Sequence, residues 1–335
     1  MATFKILSID GGGIKGLYSA SVLARFEEKT GKKITNHFDM ICGTSTGGLI
    51  ALGLASGKSA QELSDLYFDK GSTIFSTSNS VPIRFVQSKW QFFKQLFLWG
   101  KHSNKPLTKI LEDTFGDRTM GEADNLLCIP SYNLIKGEPR VFKFPHKEGD
   151  FFKDKNIKMV DVALATSAAP TYLPIHEHNN ILYADGGVWA NNPSLCGLLE
   201  ALDYFVGEGK AYDSYQILSI SSISQPSGWA STKRKSKSFR SWGNKLFQTS
   251  MDGQSYFTDF FLKKIINNIN PKGTYYRVPS PVLSHEHVGV IDMDRADTNA
   301  LKTIKGMGDH DGYTYATKPE VLEFFKTTKT YNTKK

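Results

Sequence analysis

The chain has 335 residues, 40% hydrophobic and 22% charged, a profile that fits a folded globular protein and excludes a disordered or low-complexity one. Its 41 basic and 33 acidic side chains leave a net charge of +8, which attracts anionic surfaces such as phospholipid head groups or nucleic acid and equally serves solubility. No apolar run approaches the roughly 20 residues that span a bilayer, and MATFKILSID lacks the basic start, long apolar stretch and cleavage site of a secretory signal.

In chain order, Thr3 to Ile9 is an apolar strand that runs directly into Asp10-Gly11-Gly12-Gly13, and Leu17 to Glu28 carries helical apolar spacing. Phe38 to Cys42 is a second strand that breaks into Gly43-Thr44-Ser45-Thr46-Gly47, after which Leu49 to Ala55 is helical. Further strands are expected at Leu126 to Pro130, Arg140 to Phe144, Ile181 to Ala184 and Gln216 to Ser221, with helices at Val160 to Ala168 and Ser194 to Phe205. Strands alternating with helices predict an α/β fold whose mostly parallel sheet is covered on both faces. Neither a repeat nor a strong linker divides the chain, so residues 1–335 are expected to form one domain, with 327–335 as a polar, flexible tail. Cys42, Cys128 and Cys196 sit in apolar surroundings without metal-ligand spacing and read as reduced core thiols of a cytoplasmic protein.

Gly43-Thr44-Ser45-Thr46-Gly47 is a G-x-S-x-G pattern in the setting it requires, a strand turning sharply into a helix. A tight turn leaves no room for side chains beside its apex, so the serine hydroxyl projects into open space beneath the helix N-terminus. The pattern predicts Ser45 as a nucleophile for acyl transfer.

Gly11-Gly12-Gly13-Ile14-Lys15-Gly16 is open to two readings. It satisfies G-x-G-x-x-G between a strand and a helix, the fingerprint of a dinucleotide-dependent oxidoreductase. That reading needs an acidic residue at the end of the second strand to hold the ribose. Glu27 and Glu28 still lie in the first helix, and Asp39 lies near the start of the next strand. The other reading is an oxyanion hole, in which consecutive glycines expose N–H groups to the charge that builds on a carbonyl oxygen. The serine elbow favours the second.

A serine hydroxyl needs a neighbouring base. His285, His287 and His310 follow the elbow, and His176 and His178 lie in a turn, but no local pattern singles any of them out. The other candidate is Asp185, where the apolar Leu182-Tyr183-Ala184 ends in a carboxylate followed by Gly186-Gly187, the way a parallel sheet presents a residue at its ligand-binding edge. Desolvation beside the serine would raise its pKa and improve it as a base. An ordinary Asp-Gly turn is the plain alternative.

Asp10 to Gly16, Gly43 to Gly47, Ala165-Thr166-Ser167-Ala168-Ala169-Pro170 and Asp185-Gly186-Gly187 together resemble the successive motifs of patatin-like phospholipases, in the family's order and over residues 4–195. The resemblance implies a three-layer α/β/α patatin-like fold, completed by residues 196–326, that cleaves fatty acyl esters of membrane phospholipids. It implies a Ser45–Asp185 dyad without histidine, metal or other cofactor, and an oxyanion hole at Gly11, Gly12 and Gly13. Lys15, Gly16, Gly43, Gly47, Gly186 and Gly187 belong to the supporting motifs. Lys15 stands where many members carry arginine, and the family tolerates either. Asn191-Asn192-Pro193 also matches and reads as a turn and helix start. Within the family the chain resembles bacterial effectors of antiphage defence, which implies a cyclic nucleotide activator and a cytoplasmic protein that becomes peripheral to the membrane when active. A non-catalytic lipid-binding protein is a further alternative; no nucleic-acid polymer is expected as a partner, and homo-oligomerisation is left open.

Two stretches bear on substrate access. If 84–101 is helical, Val86, Trp90, Phe93 and Phe97 share one face, which suits a membrane-contact helix, a lid over an acyl pocket or a core helix. The basic run from Lys233 to Arg240 reads as a solvated loop or as a contact for lipid phosphates.

Overall fold

The computed structural model describes residues 2–75, 103–147, 150–224, 242 and 245–333. The amphipathic 84–101 and the basic run 233–240 lie outside the described residues. The first strand, β1 (Thr3–Ile9), is buried from Phe4 onward, as a strand covered on both faces must be. It is followed by β2 (Met40–Gly43), β3 (Leu126–Asn133), β4 (Glu138–Lys143), β5 (His176–His178), β6 (Ile181–Asp185), β7 (Ser214–Ile220) and β8 (Gly273–Val278). They form one sheet in the order β5-β6-β3-β2-β1-β7-β8, with β4 beside β3. Strands β3, β2, β1, β7 and β8 are parallel, so the sheet is mostly parallel, as expected.

One detail of this sheet builds the site. The N-terminal half of β3 pairs in parallel with β2, Cys42 opposite Cys128, while its C-terminal half pairs antiparallel with β6, Ser131 opposite Asp185. Strand β4 pairs along both halves and occupies the other edge. Strands β2 and β6 therefore share one edge of β3 and end head to head, either side of Pro130. The strand that carries Asp185 is antiparallel to its neighbour, not parallel as its sequence suggested. Strand direction is set by tertiary pairing, which the apolar pattern does not encode.

The helices are α1 (Gly16–Thr30), α2 (Thr46–Ala55), α3 (Ala60–Phe75), α4 (Lys105–Phe115), α5 (Met159–Ser167), α6 (Gly187–Ala190), α7 (Ser194–Tyr204), α8 (Lys245–Ile265), α9 (His285–Val288), α10 (Thr298–Tyr315) and α11 (Pro319–Leu322). A Cβ added at Gly197 of α7 would press on Cys42 and Ile6, whereas one added at Gly48 of α2 would meet Ile129. Cys42 is the register partner of Cys128, so Ile129 faces the other side and the two helices cover opposite faces. Helix α1 packs on α2, α3 and α10. The approach of α10 to α1 is close: a Cβ at Gly308 would lie 2.7 Å from the Tyr18 carbonyl oxygen, and one at Gly312 2.7 Å from Arg25. No helix among the described residues is long and apolar enough to cross a membrane.

The C-terminus differs from the expected flexible tail. One Asp39 carboxylate oxygen accepts from the N–H groups of Thr330 and Tyr331, both at 2.8 Å, and the other from Lys5 N–H at 2.8 Å. The buried Lys5 ammonium donates to the carbonyls of Phe324 and Thr327, and burial lowers its pKa. Buried polar groups that need partners thus hold residues that look unstructured in sequence. Cys42 and Cys128 are buried, Cys196 is half-buried, and all three are free thiols.

Candidate active site

Strand β2 ends at Gly43 and α2 begins at Thr46, which leaves Ser45 at the apex with φ 54° and ψ −125°. A left-handed φ on a residue with a side chain costs on the order of 1–3 kcal/mol and persists only where its surroundings enforce it. Here they do. A Cβ on Gly43 would overlap the Gly47 carbonyl, and one on Gly47 would overlap the Ile9 carbonyl, so only glycine fits on either side. The Ser45 N–H donates to the Thr166 hydroxyl at 3.0 Å, which itself donates to the Pro130 carbonyl at 2.6 Å. The Thr44 hydroxyl donates to the Ala190 carbonyl at 2.6 Å, and the Tyr67 hydroxyl to the Thr46 carbonyl at 3.2 Å.

Asp185 closes β6 at the facing strand end and is 1% exposed. Its N–H donates to the Ala168 carbonyl at 2.9 Å, and the Gly187 N–H donates to its carboxylate at 2.7 Å. Ser45 lies beside the same carboxylate, close enough for its hydroxyl to pull the Asp185 pKa down. Burial raises the Asp185 pKa to about 7, against the opposing pull of the Ser45 hydroxyl and the Gly187 N–H. Gly186 has no room for a Cβ above the Pro130 carbonyl, and its N–H donates to the Thr166 carbonyl at 3.3 Å. The Ala165–Pro170 motif therefore acts through Thr166 and Ala168, which tie both strand ends to one support.

The glycine loop lies against this pair. A Cβ on Gly11 would stand 3.1 Å from Ser45 Cβ and 2.5 Å from Asn191 Oδ1. The Gly11 N–H donates to the Asn191 carbonyl at 3.1 Å, whereas the N–H groups of Gly12 and Gly13 have no protein acceptor among the described residues. Gly13 adopts φ 63°, with the Met293 carbonyl against its Cα, and Ile14 N–H donates to that carbonyl at 2.9 Å. Gly16 lets α1 approach Thr46. Lys15 is buried, and burial lowers its pKa against the attraction of Asp252 and Asp292. Asp10 anchors the loop: both its carboxylate oxygens face Arg277 of β8, at 3.1 and 2.5 Å, and Arg277 also donates to Ser219 at 2.6 Å. Arg277 and Ser255, whose hydroxyl accepts from Asn191 Nδ2 at 3.0 Å, are site residues that sequence reasoning missed.

Ser45 and Gly13 open into an apolar pocket formed with Leu49, Tyr67, Leu107, Tyr172, Leu173 and Met293, and its described lining holds no histidine. His176 and His178 each lie 3.3 Å from Asp161, while His287 and His310 line a separate cavity beside α10. No group of His, Cys, Asp and Glu side chains among the described residues could hold a metal ion. The dinucleotide reading of the loop fails on geometry. Its glycines are filled by Asn191, Ser222 and Met293 of the same chain, and Asp39 caps the far end of β2, where it binds the C-terminus.

The family model for patatin-like phospholipase matches residues 7–195. The chain belongs to the patatin-like phospholipase family. It is 33% identical over 308 residues to a cGAMP-activated phospholipase of Pseudomonas aeruginosa, covering 92% of this chain and 87% of the relative. A cGAMP-activated phospholipase of Vibrio cholerae is also 33% identical, covering 96% of this chain and 94% of the relative. Patatin-like protein 2 of Arabidopsis thaliana is 27% identical, covering 91% and 81%. The patatin-like motifs recognised in sequence are thus those of an ester-hydrolysing family, and family membership together with the closed loop overturns the oxidoreductase alternative.

Proposed function

We propose that this patatin-like phospholipase hydrolyses fatty acyl esters of membrane phospholipids with Ser45 as nucleophile and Asp185 as the proton acceptor. The observation that carries the reading is Ser45 held on a left-handed elbow at an apolar pocket, beside the buried Asp185 carboxylate whose pKa its hydroxyl lowers. The acyl chain lies in that pocket, and Ser45 Oγ attacks the ester carbonyl as its proton passes to Asp185. The tetrahedral oxyanion is met by the glycine loop Gly11 to Gly13. Its donors are the N–H groups of Gly12 and Gly13, since that of Gly11 is committed to Asn191. The proton returns to the leaving lysolipid oxygen. Water, deprotonated by Asp185, then attacks the acyl-enzyme carbonyl; the bond to Ser45 Oγ breaks as Asp185 returns the proton to it, and the fatty acid leaves.

A cyclic dinucleotide switches this activity on, as the names of the two bacterial relatives support, and the protein acts peripherally at a membrane in an antiviral response. Fatty-acid release from phospholipid vesicles, with and without cGAMP, tests both parts. The wild-type chain should release fatty acid faster with cGAMP, and Ser45→Ala should release none. Full activity in Ser45→Ala would remove the dyad; the absence of both binding and activation by cGAMP would remove the switch.

A further inference from the structure

Helix α8 carries an unusual outer face. Tyr256 is 74% exposed, Phe257 60%, Phe260 50% and Leu246 45%, and the rings stack in two pairs, Tyr256 on Phe260 and Phe257 on Phe261. A helix normally turns such residues inward, so a row of exposed aromatics marks a contact surface. The inner face explains why the helix cannot simply rotate. Met251, Thr258 and Leu262 are buried; Gln254 accepts from Asn192 N–H at 2.8 Å, and Ser255 accepts from Asn191 Nδ2 at 3.0 Å. Met251 packs with Ala169, Tyr172 and Met293, three residues that line the Ser45 pocket. The helix is therefore an outer wall of that pocket.

We propose that this face, centred on Tyr256, Phe257 and Phe260, is the surface by which the protein enters a phospholipid interface; the inference rests on the phospholipase reading above. The charges of the helix select that occupant. Its acidic residues have cationic or hydroxyl neighbours within the protein: Asp252 lies in the field of Lys15, and Asp259 accepts from Tyr275 at 3.0 Å and Lys263 at 2.8 Å. Lysines flank the aromatic face, Lys245 at one end and Lys264 at the other, the latter 5.8 Å from the Phe260 ring centre. Self-pairing of two such helices would bring cations together in either direction, whereas anionic head groups complement them.

The test is the triple substitution Tyr256→Ser, Phe257→Ser, Phe260→Ser with cGAMP present. Made in a Ser45→Ala background, it should lower flotation with phosphatidylethanolamine–phosphatidylglycerol vesicles by at least about tenfold. With Ser45 intact, vesicle hydrolysis should fall as far, while hydrolysis of a soluble short-chain ester stays within about twofold, because none of the three residues lines the pocket. Unchanged flotation would overturn the proposal, as would unchanged flotation accompanied by loss of a dimer in light scattering, which would make the face a contact between copies. Failure of the phospholipase reading is distinct: soluble-ester turnover would then survive Ser45→Ala alone.

Discussion

Two carboxylates end strands of this sheet, and their fates differ. Asp10 follows β1 and Asp185 closes β6; they are 2% and 1% exposed, and burial pushes both pKa values up. At Asp10 the paired contacts of the Arg277 guanidinium pull the other way. At Asp185 only a hydroxyl and an N–H oppose burial, and the pKa comes to about 7. Equal burial thus yields an ion pair that fixes the glycine loop and a carboxylate poised to take a proton near neutrality. In the proposed mechanism the partner, not the burial, separates the anchor from the base.

The largest expected effect breaks the second member of this pair. Asp185→Asn or Ser45→Ala should lower ester turnover by at least about a thousandfold with the fold retained by circular dichroism. Retention of wild-type turnover in either variant would show that the base lies elsewhere. Next in size, Arg277→Met strands the Asp10 carboxylate in the interior and should destabilise the fold by about 3–5 kcal/mol in denaturant titrations. Adding Asp10→Asn should recover part of that loss; no recovery would mean that the pair is not the anchor.

The carboxylate at β6 should also be visible in pH dependence. The Asp185 pKa rises from 3.8 to about 7 on folding, so the folded state holds the proton more tightly than the unfolded state. Stability from this group is present at acid pH and is lost as pH climbs through that window. Asp185→Asn should therefore stabilise the protein by on the order of 2–4 kcal/mol above about pH 7 and show little gain near about pH 4. The kcat/KM for a soluble ester should rise with pH and level off above about 7, since the base works deprotonated. The smallest effect concerns the shared support of the two strand ends. Thr166→Val removes the hydroxyl between Ser45 N–H and the Pro130 carbonyl, and should cost about 1–2 kcal/mol of stability and about tenfold in kcat.

The legible parts of the site were those written contiguously. The elbow at Ser45, the loop from Asp10 to Gly16 and the Asp185-Gly186-Gly187 ending each carry their backbone requirements in adjacent residues, so glycine spacing announces them. Arg277 gave no such signal, because its partner Asp10 is joined to it only by the parallel pairing of β7 with both β1 and β8. Strand β8 itself escaped notice: its residues are half-buried apart from an exposed Thr274 and a buried Val278, without the apolar run of β1. The direction of β6 was misread because Asp185 looks the same at the end of either a parallel or an antiparallel strand. The tail was misread because main-chain N–H groups, which sequence does not distinguish, bind it to Asp39. Helix α8 shows the limit of periodicity: its aromatic spacing fits a buried face, yet polar residues on the other side engage the site and turn the rings outward.

The pairing of Ser45 with Asp185 is tested most directly by fluorophosphonate labelling followed by peptide mass spectrometry. The account predicts one adduct, on Ser45, that is absent in Ser45→Ala and strongly slowed in Asp185→Asn. An adduct on another residue, or labelling of Ser45 at the same rate without the Asp185 carboxylate, would contradict it.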